Sequence, residues 1–235
     1  VEHPAILEPA QELRARGVRM DLLAVDRQGL VPLDKAAAVM AEHAAKAPDR
    51  GLMSVMLANN ETGVLNDVAG LARLAKAKGI AVHTDAAQAV AKIPVDVEEQ
   101  GVDFLTIAGH KMYAPKGIGA LYAREPESLQ PLISGGGQER GVRPGTENTP
   151  YIVGLGEAAA MAMEDLEQEG ERQRGLAGRL LNGLHSLGLD YLVHGETALR
   201  VPNVLNIGFK GYMAGDILSG LVARDYAGST TGTVS

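Results

Sequence analysis

Four short apolar runs, separated by segments of helical periodicity, constrain this chain more than any other feature of it. They are Leu52 to Ala58, Ile80 to Thr84, Phe104 to Ala108 and Ile118 to Ala123. Each has the length of one strand and is apolar throughout rather than alternating, the pattern of a strand buried on both faces. Val18 to Val25 reads as a further strand. Helices are expected between the runs. Pro4 to Arg16 has proline in its first turn and a glycine stop at Gly17, Pro32 to Ala47 is rich in alanine, and Val68 to Lys78 ends at Gly79. Strands alternating with helices in this way build a sheet between helical layers. The expected fold class is therefore α/β, a mostly parallel sheet with helices on both faces.

The pattern changes after Gly145. Tyr151 to Leu187 reads as one long helix with a polar middle, of the kind that bridges two domains. Strands at Tyr191 to Val193 and Val204 to Phe209 and a helix from Ala214 to Ala223 follow. The expected organisation is a large domain over residues 1–150, a bridging helix over 151–188 and the start of a small α+β domain over 189–235. The chain opens at Val1 inside a patterned segment and closes at Ser235 in a Gly/Ser/Thr-rich stretch, so a piece of a longer protein is expected.

Composition removes several classes of function. With 22 Lys+Arg against 29 Asp+Glu and no basic run, nucleic acid is not an expected partner. No stretch approaches the ~18 apolar residues of a membrane-spanning helix. The absence of cysteine excludes disulfides and Cys-based metal sites from these residues. No GxGxxG fingerprint follows a strand, which argues against a dinucleotide binder.

The residues that carry chemistry sit after the apolar runs, where open α/β sheets bind their ligands. Asp85, in His83-Thr84-Asp85-Ala86-Ala87-Gln88, has two readings. An aspartate in that place caps a following helix, or it keeps the ring nitrogen of a cofactor such as pyridoxal 5′-phosphate (PLP) protonated, so that the ring can act as an electron sink. Lys111 ends the run FLTIAGHK, an apolar setting that makes an amine nucleophilic towards carbonyls. Lys116 is the competing amine, but Pro115 separates it from the strand end, and Lys111 is preferred. The loop Gly135 to Thr146 (GGGQERGVRPGT) offers backbone N–H groups, arginines and a threonine to an anion.

Taken together, DAAQ (85–88), GHK (109–111), PKGIGALY (115–122) and GGGQERGVRPGT (135–146) resemble the cysteine desulfurase and selenocysteine lyase family of class-V, fold-type-I PLP enzymes. MLANNETG (56–63), VDFLTIAGHK (102–111) and GGGQERGVRPGTENTP (135–150) look closest to the selenocysteine lyase branch. The resemblance makes residues 1–150 most of the large PLP-binding domain. It implies that Lys111 forms the Schiff base, Asp85 pairs with the pyridine nitrogen, and Gln88 donates to the ring's 3-oxygen. His3 would stack on the ring, Asn60 would lie close to the 3-oxygen and substrate, and His110 would help hold the phosphate. Thr146 would bind the phosphate in a partner subunit's site, which implies a homodimer, and Arg140 would line the mouth of the site. The implied reaction cleaves the Cβ–Se or Cβ–S bond of selenocysteine or cysteine to give alanine. A protein accepting the selenium or sulfur and a cytoplasmic setting belong to the same implication.

Three departures from the family pattern stand out. Ala108 occupies a position where many desulfurases carry a phosphate-binding Ser or Thr. The tail Thr231 to Ser235 resembles the family's cysteine loop with Ser235 in the place of the thiol, and a serine hydroxyl cannot accept sulfur as a thiolate does. The N-terminal phosphate turn and the arginine that grips the substrate carboxylate are expected outside these residues. Two rival readings follow: a degenerate homologue lacking the thiol, or a class-V PLP enzyme with a transaminase- or epimerase-type activity.

Overall fold

The computed structural model describes residues 2–46 and 51–224. Its central element is a four-stranded sheet in the order β1 (Leu52–Met56), β2 (Ala81–Asp85), β3 (Phe104–Ala108) and β4 (Gly119–Ala123). The first three strands run parallel, and β4 returns antiparallel along β3. The helices are α1 (Pro4–Ala15), α2 (Leu33–Lys46), α3 (Val68–Lys76) and the single turn α4 (Val97–Gln100). The expected α/β architecture with a mostly parallel sheet is what forms.

Alternation along the strands decides which side chains form the core. Val55 of β1, Val82 of β2 and Leu105 of β3 point to one face and close over Leu71, Ala72 and Ala75 of α3 and Met40 of α2. Leu105 is 2% exposed. Truncating it to alanine is expected to destabilise the fold by about 2–5 kcal/mol, through lost transfer free energy and the cavity left behind. A urea midpoint indistinguishable from that of the parent protein would contradict this packing.

Two expected elements come out differently. Val18 to Val25 is not a strand: it forms no ladder among the described residues, and Val18 and Leu22 are 51% and 68% exposed. β-propensity cannot make a strand where no neighbouring edge supplies hydrogen bonds. The expected strand from Val204 begins only at Ile207, because Val204 packs against the main core and Gly63 instead. Elsewhere the boundaries shift by a residue or two. The long helix is α5 (Thr149–Ser186), whose N-cap Asn148 accepts from Tyr151 N–H.

Beyond α5, β5 (Tyr191–Val193) and β6 (Ile207–Phe209) pair antiparallel, and α6 (Ala214–Val222) follows. This tail packs back on the first core. Val201 is 2% exposed within it, Val201 N–H donates to Gly63 O, and Leu65 N–H donates to Leu199 O. Asn206 Nδ2 donates to Glu61 O, so the tail also braces the turn that follows β1. Among the described residues no helix is long and apolar enough to cross a membrane.

Candidate active site

The carboxyl ends of β1, β2 and β3 lie side by side, with Met56 paired to Asp85 and Asp85 to Thr106. Each strand end leads into a turn held by its own hydrogen bonds. After β1, buried Asn59 accepts through Oδ1 from Glu61 N–H, Thr62 N–H and the Thr62 hydroxyl, closing the turn that carries half-buried Asn60. Asn66 ties this turn to the strand by donating to Met56 O and accepting from Val31 N–H. After β2, Asp85 Oδ1 accepts from Ala87 N–H at 2.9 Å, an aspartate turn that brings half-buried Gln88 onto the same edge.

After β3 the chain makes a tight 3₁₀ turn, Gly109–Met112, which carries exposed His110 and half-buried Lys111. This turn requires glycine at its first position. A Cβ on Gly109 would lie 2.8 Å from Ile118 O and 3.1 Å from a Leu155 methyl of α5. Gly109 N–H donates to that same Ile118 O, and Ala114 N–H closes the turn onto Gly109 O. Tyr113 ends it with a left-handed φ of 66°, a conformation that costs an aromatic residue free energy and recurs near functional sites.

His3 reaches this edge through its neighbour. Glu2 accepts from Met56 N–H at 2.9 Å, which fastens the start of the chain to the end of β1. His3 Nδ1 accepts from Ala5 N–H as the N-cap of α1, and His3 and Asn60 line one cleft of about 160 Å³ together with Glu2, Asn59 and Thr62. Burial pushes the Glu2 carboxyl above the usual carboxylate range; the Met56 N–H bond opposes the shift, and the nearby Asp85 charge adds to it. Glu2 Oε2 is buried without a hydrogen-bond partner among the described residues.

These residues fit a PLP ring. Asp85 is 8% exposed and forms no ion pair among the described residues. A buried carboxylate without a cation is stabilised by a protonated heterocyclic nitrogen, which supplies both a charge and a donor. The primary amine of Lys111 follows in the turn after the adjacent strand β3, and the Gln88 and Asn60 amides lie beyond the ends of β2 and β1.

Not every expected residue joins this group. Thr146 and Arg140 stand exposed on the loop before α5, Arg140 with a left-handed φ of 58°. Ala108 ends β3. Ser235 and the Thr231–Ser235 loop lie outside the described residues. Conversely, Glu2, His83, Ser54 and Thr106 belong to the site region without having been singled out from sequence. For His83 the signal was present: it precedes Asp85 by two residues, and a strand turns such residues to the same face.

Comparison with known proteins agrees with this geometry. The aminotransferase class-V model matches residues 1–233. A cysteine desulfurase of Gluconacetobacter diazotrophicus is 41% identical over the whole chain and 58% of its own length. The cysteine desulfurase IscS of Clostridium botulinum is 39% identical over 98% of the chain and 57% of its own. The chain thus spans less than three-fifths of the length of these curated relatives. Among solved structures, a NifS-like protein from Rickettsia africae superposes with a TM-score of 0.90 at 29% identity, covering 99% of this chain and 62% of the other. A second NifS-like protein superposes with a TM-score of 0.89 at 34% identity, covering 98% and 61%. A family match over nearly every residue leads to one conclusion: the chain belongs to the class-V aminotransferase family of PLP enzymes.

Proposed function

We propose that this chain forms the cofactor-binding part of a cysteine desulfurase, which cleaves the Cβ–S bond of cysteine to give alanine and passes the sulfur to a thiol. The observation that carries the reading is the buried Asp85 carboxylate, without an ion pair among the described residues, at the end of the strand next to β3, whose following turn carries Lys111. When bound, PLP supplies an electron sink for carbanion chemistry at the substrate's α-carbon. Lys111 Nζ would hold the cofactor covalently and would take the α-proton of the substrate. Asp85 holds a proton at the pyridine nitrogen. Gln88 and Asn60 would help hold the cofactor through their amide N–H groups, and His3 through its ring. His110 and Thr146 bind the phosphate, Thr146 from the partner subunit of a homodimer, for which its exposure leaves it free.

The overall step balances as cysteine plus a thiol giving alanine plus a persulfide. These 235 residues contain no cysteine, so the accepting thiol lies outside them, and Ser235 does not serve as the acceptor. Sulfur is favoured over selenium by the names of the relatives and by a structural neighbour, SspA in complex with cysteine, at a TM-score of 0.78, 29% identity and 97% coverage of this chain. The division at residues 150 and 188 is part of the same reading, with 189–235 opening a smaller domain; its Val201 is buried in the first core.

The test is an absorbance spectrum of the purified protein with PLP, before and after borohydride, with mapping of the modified peptide. A yellow band fixed on Lys111, together with alanine formed from cysteine, is the expected result. Faster alanine formation from selenocysteine would move the assignment to the lyase branch. A colourless protein would overturn the reading.

A further inference from the structure

A parallel sheet between helices is expected to be apolar on both faces. One face of β1 to β3 obeys this, with Val55, Val82 and Leu105 in the core and Thr84 closed off by donating to Val55 O. The other face carries Ser54, His83, Asp85 and Thr106. Three of these form a continuous string across the strands: Ser54 Oγ lies 2.8 Å from His83 Nδ1, and His83 Nε2 lies 2.9 Å from Thr106 Oγ1. Thr106 is in turn the register partner of Asp85. Both ring nitrogens are therefore engaged by hydroxyls, which can accept from one nitrogen and donate to the other, as a neutral imidazole requires.

We propose that His83, an imidazole braced between Ser54 and Thr106 on the sheet face that carries Asp85, serves to keep fixed positive charge away from that strand-end carboxylate. The inference rests on the proposed function, because the value of an uncompensated Asp85 is that a ring nitrogen becomes its counter-charge. The charged groups around His83 agree. Asp85 lies on its own strand and Glu2 lies beside Asp85, while no Lys or Arg pairs with either among the described residues. Burial depresses the basicity of His83, and the Asp85 charge offsets only part of that. A fixed cation at position 83 would instead repel the proton from any ring nitrogen paired to Asp85.

The experiment uses holoenzyme reconstituted with PLP labelled with ¹⁵N in its ring, read by NMR beside circular dichroism. The parent protein and His83→Asn, which keeps a neutral polar group between the hydroxyls, are expected to show a protonated ring nitrogen. His83→Arg is expected to lose that signal while remaining folded, and to bind PLP roughly tenfold or more weakly. A folded His83→Arg that retains the protonated nitrogen would overturn the proposal, since a purely structural role is indifferent to that charge. Should His83→Arg fail to fold, the imidazole ¹⁵N shifts of His83 in the parent apoprotein decide: a neutral ring at pH 7 supports the proposal, and an imidazolium overturns it. Failure of the parent protein to bind PLP at all would instead overturn the functional reading beneath it.

Discussion

Replacing Lys111 with alanine is expected to abolish covalent capture of PLP and to slow alanine formation from cysteine by roughly 10³-fold or more, because the proposed function gives one amine both the anchoring of the cofactor and the proton transfer. The parent protein should yield a single borohydride-fixed peptide containing Lys111, and the variant none. The fold should survive, since Lys111 is half-buried in a turn held by Gly109 and the Ile118 carbonyl rather than by its own side chain. Lys116 lies three residues before the start of β4 and is exposed. Lys116→Ala should therefore leave both capture and rate unchanged. Label transferred to Lys116, or full activity in Lys111→Ala, would remove Lys111 from the chemistry.

Asp85→Asn should lower the rate by roughly 100-fold or more with little change in stability. The amide oxygen can still accept from Ala87 N–H, so the turn after β2 persists. What disappears is the buried negative charge that, in the proposed function, keeps a proton on the ring nitrogen. Asp85→Ala removes the turn bond as well and should destabilise the fold in addition. Comparing the two variants by turnover and by thermal melting separates charge from structure. An Asp85→Asn enzyme turning over at the parental rate would show that the carboxylate is a turn residue only.

The sequence by itself determined the strand-and-helix order and the mostly parallel sheet, and it set Asp85 and Lys111 behind apolar runs of strand length. Those properties are local or periodic: an apolar run of strand length is buried on both faces wherever it lies, and Asp85 and Lys111 each follow such a run. Only the tertiary structure decided whether Val18–Val25 became a strand, because pairing needs an edge that a one-dimensional pattern does not supply. It also decided that Val201, far along the chain, completes the first core, and that Glu2 reaches across 54 residues to Met56 N–H. His83 shows the difference within one motif. Its spacing from Asp85 was visible in HTDAAQ, but its meaning depends on Ser54 and Thr106, which only the strand register brings to its two ring nitrogens.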